Sequence, residues 1–564
     1  MKSPEETEEE ENPLSLTTHL LQTLLDSTPH THHFKSKWSS ISAKLTHLKS
    51  QLSSLSSPST ATTTTNSLSL DLLYSLTHTL TDALSLLTAC QCPSPLPNGK
   101  LQTQNDVDSI AARLDRHLND THVLLKSGVL QDADAVSVSA SAPSKRDSVR
   151  AEARNLITRL QIGTAESRNS AMDSLLSLLN EDDKHVLIAV AQGVVPVLVR
   201  LLDCSSSFET REKTVSALSR VSTVDSSKHA LIAEGLVLLN NLLRVVESGS
   251  GVAREKACIA LKSLTHSKEN ARAIGSRGGI SSLLGICEAG TPSSQAAAAG
   301  VLRDLSMFDE IKENFIEENA VHILLTLFAS GTNLAQENAT GCLCNLVSDD
   351  FELKLLVARE GGVESLKNYW DSASNVKSLE VAVELVRNLA TLNPICEILV
   401  SNGFVNRVVS VLNCGVLGVR ISAAKAVYEL GSFNTKTRKE LGELGCIPPL
   451  VRMMEGKVGE ERESAAKALY ALMGFAANRK VFRKEERGIV RAVQLLDPLT
   501  RNLDKKYPVS LLSSIVHSKK CRKQMIAAGA CVFLHKLVEM DVEGAKKLLE
   551  NLGKGKIWGV FARP

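Results

Sequence analysis

The stretch AQGVVPVLVRLL, residues 191–202, stops one helix at Gly193 and opens another at Pro196. The same grammar returns down the chain, anchored at Gly193, Gly235, Gly278, Asn319, Gly361, Gly403, Gly445, Gly488 and Gly529. Gly193 and Gly529 lie 336 residues apart, eight steps of 42, and no single step departs from that by more than one residue. Glycine ends helices because it adopts a left-handed backbone without a Cβ clash, and asparagine, present at 319, is the next most tolerant residue. A break repeated at one interval over such a length restricts the fold to a stack of one supersecondary unit.

A second pattern rides on the same interval. About 25 residues after each anchor comes Leu-x-x-Leu or a near equivalent, as in Leu261/Leu264, Leu343/Leu346, Val386/Leu389 and Leu469/Leu472. One step upstream of the first such pair, Leu218/Val221, lies Leu176/Leu179, so a degenerate unit precedes the array from near Ala151. The spacing is helical throughout, and no alternating strand pattern of any length is present. Aromatic residues are 4% of the chain against 43% hydrophobic, which leaves Leu, Val, Ala and Ile to pack, as in stacked helices. Each unit buries its apolar face only against its neighbours.

A period in the low forties is that of HEAT or armadillo arrays. GVVPVLVRLL at 193 and GCIPPLVRMM at 445, with GCLCNLV from Gly341 and ELVRNLA from Glu384, resemble the two halves of the armadillo unit. The resemblance covers residues 151 to about 552 and implies an all-α fold: a right-handed armadillo-type α-solenoid of about ten repeats, preceded by a small helical bundle. A wider likeness, carried by GKLQTQNDVDSIAARLDRHL, RAEARNLITRLQIGTAESRNSAMDSLLSLL and the terminal GKGKIWGVFARP, is to plant armadillo proteins with an N-terminal helical domain of unassigned function. These are similar to vacuolar protein eight and to plant U-box armadillo proteins. The U-box has no match, since CQCPSPLPNGK leads into no second half. Nor does a glycine follow Met1 to carry the myristate of the vacuolar protein.

The front of the chain divides by composition. Residues 1–13 form an acidic tail expected to be disordered, with EETEEEE at 5–11. Helices are expected near 14–27, 34–56, 66–91 and 103–128, making a bundle over 14–130 that docks on the first repeat. Residues 131–148 read as a linker, 149–552 as the array and 553–564 as a terminal tail.

Chemistry is sparse. No Walker A, G-x-S-x-G or H-E-x-x-H motif occurs, and the histidines at 30, 32 and 33 have no thiol or carboxylate at ligand spacing. No catalytic, cofactor or metal site is expected. Twelve cysteines lack a disulfide or zinc framework and read as reduced thiols. Lys and Arg at 64 against Asp and Glu at 62 give no field that would draw nucleic acid. A monomer of the cytoplasm or nucleus is expected, with membrane contact at most peripheral.

What an array offers is the groove lined by successive third helices. Peptide-binding members of the armadillo family carry an asparagine one residue before the final leucine of that helix. The aligned positions here include Arg220, Asp304, Asn345, Asn388, Glu429 and Asn551, the candidate protein-binding groove. Adjacent amides at 345 and 388, flanked by two acids, suggest an extended partner segment with basic residues. The importin-α pairing of Asn with Trp is missing, which argues against a receptor for nuclear localisation signals. A basic surface, Lys519, Lys520, Arg522 and Lys523, with Lys505, Lys506, Lys546, Lys547, Lys554 and Lys556 nearby, is the second candidate. The expected function is a non-enzymatic scaffold that holds partner proteins. Its alternatives are an adaptor in a ubiquitin pathway without its own U-box and a peripheral endomembrane tether of the vacuolar type.

Overall fold

The computed structural model describes residues 12–55, 66–92, 99–130, 144–203, 207–373, 375–500 and 502–553. Of the expectations above, most of the acidic tail and of the linker lie outside these residues. So do all but the first residue of the C-terminal tail, Lys554 and Lys556. Every regular element among the described residues is a helix. The chain forms two compact units, divided between Leu264 and Thr265.

At eight of the nine anchors the backbone turns through the left-handed region, from Gly235 at φ +56° to Gly529 at +85°, with Asn319 at +53°. Gly193, at +81°, joins helices Asp183–Ala191 and Val194–Leu201, which meet at 85°. That bend breaks an apolar run, and no single described helix is long and apolar enough to cross a membrane. Gly488 is the exception. It has no positive φ and begins helix Gly488–Gln494, where a Cβ would come within 3.3 Å of the Phe482 ring. Packing against Phe482, not a turn, calls for glycine there.

Each full repeat contributes a short first helix, a second helix after the anchor, and a longer third helix. The first unit contains two such repeats, over residues 183–262. The second contains seven, over residues 268–553. Within the second unit the third helices pack on one another in an unbroken series. Its core is mostly Leu, Val, Ala and Ile, with Phe315, Phe328, Phe404 and Phe482 among them; Leu343, Val386 and Leu469 have no exposed surface.

Ahead of the repeats of the first unit stand α1 (Pro13–Ser27), α2 (Lys35–Leu55), α3 (Ser67–Gln91) and α4 (Lys100–Ser127). They pack around Trp38, Leu45, Leu76, Leu80 and Leu114, all without exposed surface. Burying such side chains stabilises by about 1.5–3 kcal/mol each. The backbone N–H groups of His32 and His33 donate to Cys90 O, tying the segment after α1 to the end of α3.

Helix α5 (Lys145–Ile162) begins four residues before the expected array boundary, because Ser144 accepts from Asp147 N and caps it. It packs on α4, and Arg159 donates to Ser67 Oγ at 3.2 Å, so the bundle and the first array helices share one unit. Helix α6 (Ala165–Glu181) follows and carries Leu175, Leu178 and Leu179 into the core.

Candidate functional site

The column one residue before the final leucine of each third helix turns out to hold repeats together. Asn388 is 3% exposed and its Nδ2 donates to Cys344 O at 3.0 Å, one repeat back. Asn345 donates to Arg303 O at 3.1 Å and to Ser306 Oγ at 3.0 Å. In the first unit Arg220 does the same work: Nε reaches Leu179 O at 3.0 Å while Nη2 pairs with Asp183 at 2.6 Å. All three carbonyls lie in the last turn of a helix, where no intrahelical partner exists. The amide patch expected at 345 and 388 is therefore corrected: Asn388 is withdrawn from solvent, and the donors of both amides are engaged within the stack.

The remaining members of the column differ among themselves. Asp304 is half-buried, with Thr265 Oγ1 at 3.5 Å. Asn551 lies half-buried on the last described helix, Ala545–Gly553, three repeats beyond Glu429. Glu429 is half-buried on Leu417–Phe433. Burial pushes its carboxyl above the ordinary range, against the pull of Arg387, Lys354 and Lys467. Burial also lowers the Lys354 ammonium, whose Nζ donates to Thr391 Oγ1 at 2.9 Å.

Around this column the third helices of the second unit carry a ladder of alternating charge. Glu337 accepts from Ser378 at 3.3 Å, and Arg303 lies 4.0 Å away across Gly341, where any Cβ would meet the guanidinium. Glu384 binds Arg387 at 2.6 Å and Ser422 at 2.9 Å. Lys425 reaches Glu460 at 2.7 Å.

The ladder ends on a tyrosine platform that sequence reading missed. Three of the chain's five tyrosines meet here, from three successive third helices. Tyr428 and Tyr470 stand edge to face against Tyr507, at 6.3 and 5.8 Å between ring centroids. Lys467 and Lys506 each place Nζ 5.1 Å from the centre of the Tyr507 ring. Tyr470 is 43% exposed, while Tyr428 and Tyr507 are half-buried. Tyr428 and Tyr470 both lie two residues before the final leucine, a column the asparagine alignment steps past. Tyr507 falls outside any column, because a long connection separates helices Gly488–Gln494 and Lys506–Ser513.

That connection also corrects the basic surface. Lys505 is buried, and its Nζ donates to Leu495 O, Asp497 O and Thr500 O at 3.0, 2.6 and 3.1 Å, closing the loop. Lys519, Lys520 and Lys523 do lie exposed on helix Lys519–Ala527, with Arg522 half-buried. No carboxylate lies within ion-pair distance of the four among the described residues.

Stacked three-helix units with a left-handed anchor define an all-α solenoid of armadillo type, and the comparisons agree. Residues 182–223 match the armadillo/β-catenin-like repeat, and residues 15–129 match a domain of unknown function, DUF7032. The chain is 27% identical over 272 residues to U-box domain-containing protein 8 of Arabidopsis thaliana, covering 47% of this chain and 66% of that one. It is 24% identical over 242 residues to U-box domain-containing protein 44 of the same plant, covering 42% of this chain and 30% of the relative. The aligned stretches thus span just under two thirds of the first relative and less than a third of the second. The crystal structure of an engineered protein superposes with a TM-score of 0.59 at 23% identity, covering 72% of this chain and 99% of that one. That likeness is one of fold alone.

Proposed function

We propose that the chain is a protein-binding scaffold, and that the third-helix face of its second unit holds an extended segment of a partner protein at the tyrosine platform. The observation that carries this reading is the cluster of Tyr428, Tyr470 and Tyr507 with one ring open to solvent. Tyrosines supply large contact area at little rotamer cost and dominate binding energy where they cluster. Lys467 and Lys506 already occupy the cation–π positions on Tyr507, so the partner brings an apolar or aromatic side chain to Tyr470. A basic residue of the same segment reaches Glu429, as the acids in this column suggest.

The test is partner capture from native extract with the wild-type chain and a Tyr470→Ser/Tyr507→Ser variant, melting of both being followed by circular dichroism. A partner lost by a folded variant supports the platform. An unchanged catch from a folded variant removes it.

A second reading, an adaptor in a ubiquitin pathway, rests on the U-box relatives. Co-purification of a ubiquitin ligase with the wild-type chain tests it, and its absence from the catch counts against it.

A further inference from the structure

The first helices of the last three repeats carry a charge pattern that the earlier repeats of the second unit lack. A buried residue followed by Arg-Lys recurs at the same place on each. It is Thr437-Arg438-Lys439 on helix Thr435–Glu443, Asn478-Arg479-Lys480 on Ala476–Phe482, and Cys521-Arg522-Lys523 on Lys519–Ala527. One repeat earlier, on Asn393–Ser401, the same place holds Ile395-Cys396-Glu397, so the pattern starts at 437.

Two of the three residues serve the stack. Asn478 Nδ2 donates to Arg438 O at 2.8 Å, joining one first helix to the next. Each arginine reaches back to a carbonyl at or just beyond the end of the third helix before it. Arg438 Nε meets Gly431 O at 2.9 Å, Arg479 Nη1 meets Met473 O at 2.7 Å, and Arg522 Nη1 meets Val516 O at 3.5 Å. The lysine beside each arginine stands exposed.

Earlier first helices pair their cations across repeats: Lys268 reaches Glu310 at 3.0 Å and Lys312 reaches Asp350 at 3.6 Å. In the last three that compensation stops. Residues 435–443, 476–488 and 519–527 hold twelve Lys and Arg against four Glu, in a chain whose formal charge is +2. The acids are Glu440, Glu443, Glu485 and Glu486. Among the described residues, only Glu443 forms an ion pair with one of these cations, Lys439 at 3.6 Å. Solubility alone would be served as well by acids, and helix stability better. Lys436 is the second residue of its helix, and Lys519 and Lys520 are the first two of theirs, with no acid in either first turn. A cation there opposes the helix dipole. These lysines therefore do not serve the fold.

Their spacing describes a ligand. Packed helices lie about 8–10 Å apart, so Lys439, Lys480 and Lys523 form a row with one ammonium about every 10 Å. A polyproline-type extended chain returns to the same face every three residues, about 9 Å along. The one aromatic side chain on the three helices, Phe482, is fully buried and offers no platform for a nucleic-acid base. None of the three exposes a large apolar side chain that would enter a bilayer.

We propose that this row, separate from the tyrosine platform, binds an extended acidic segment of a partner protein, with a carboxylate at every third residue seated on Lys439, Lys480 and Lys523. Lys439 exchanges its exposed Glu443 for the first of them.

The test uses the full chain and a fluorescein-labelled peptide of Glu-Pro-Pro repeats, with a control peptide of the same composition whose glutamates are consecutive. Lys480 and Lys523 are exposed and have no ion pair among the described residues, so Lys480→Gln/Lys523→Gln keeps its fold, which circular dichroism checks. An exposed ion pair contributes about threefold, so the spaced peptide is expected to bind about tenfold more weakly to the variant than to the wild type. The wild type is also expected to prefer the spaced peptide to the control. Equal binding of the two peptides overturns the match of spacing, and binding indifferent to the lysines, or none, overturns the site. Phosphatidylserine vesicles or single-stranded RNA bound in place of the peptide, and released by the same substitutions, would overturn the proposal in favour of a membrane or a nucleic acid.

Discussion

Gly193 and Asn388 recur in columns of the same period and do opposite things. Gly193 is conformational: a Cβ there meets nothing within 4 Å, so any cost of replacing it is backbone strain. Gly193→Ala is expected to raise local opening of residues 183–201 by about 1–2 kcal/mol. Gly193→Asn is expected to cost less, since Asn319 holds the same conformation. Hydrogen exchange on both variants checks the order, and equal losses would refute the strain account. Asn388 is a clasp. Asn388→Ala strands Cys344 O at a buried helix end and should cost about 1–3 kcal/mol. Exchange protection in residues 333–347 and 376–389 should fall together. Loss in only one of those helices would show that the hydrogen bond does not couple them.

The helices were legible in the sequence wherever periodicity was regular, and the four helices of the bundle fall within a few residues of where apolar spacing puts them. What stayed hidden was the use of side chains between helices. An asparagine column looks identical whether its amides face a groove or cap the previous repeat, because only the third dimension says which carbonyl is near. Helix α4 supplies a prediction of the same kind. Burial, with Arg113 and Arg116 close by, lowers the His117 imidazole to about 4, so the ring is neutral in the fold. A base whose folded pKa lies below its unfolded value of 6.5 binds more protons when unfolded, so its contribution is complete above pH 6.5 and is lost as pH falls toward 4. The loss is about 3 kcal/mol. Asp120, raised by burial, works in the opposite sense below pH 6 and masks part of it. In Asp120→Asn, opening of α4 should therefore rise more steeply as pH falls from 6 to 4 than it does in the wild type. Parallel pH profiles of exchange in α4 would contradict this.

For the whole molecule the regular period predicts stability that is local. Leu343 has no exposed surface, and Leu343→Ala should cost about 2–5 kcal/mol. Loosening should be greatest in residues 333–347 and the adjoining third helices and fade along the second unit. Uniform loosening through residues 268–553 would contradict the stacked picture. The tyrosine platform belongs to this scale too. Its residues are 79 positions apart in the chain, from Tyr428 to Tyr507, and only the stacking of third helices brings them together.

The central claim is that partners bind on the third-helix face at this platform. The most direct measurement is photo-crosslinking in native extract from a benzoylphenylalanine placed at position 470, with the same probe at the exposed second-helix residue Val532 as control. The account predicts a discrete crosslinked partner from position 470 that is absent from position 532 and lost on Tyr507→Ser. Crosslinks from 532 alone, or a 470 product indifferent to Tyr507, would contradict it.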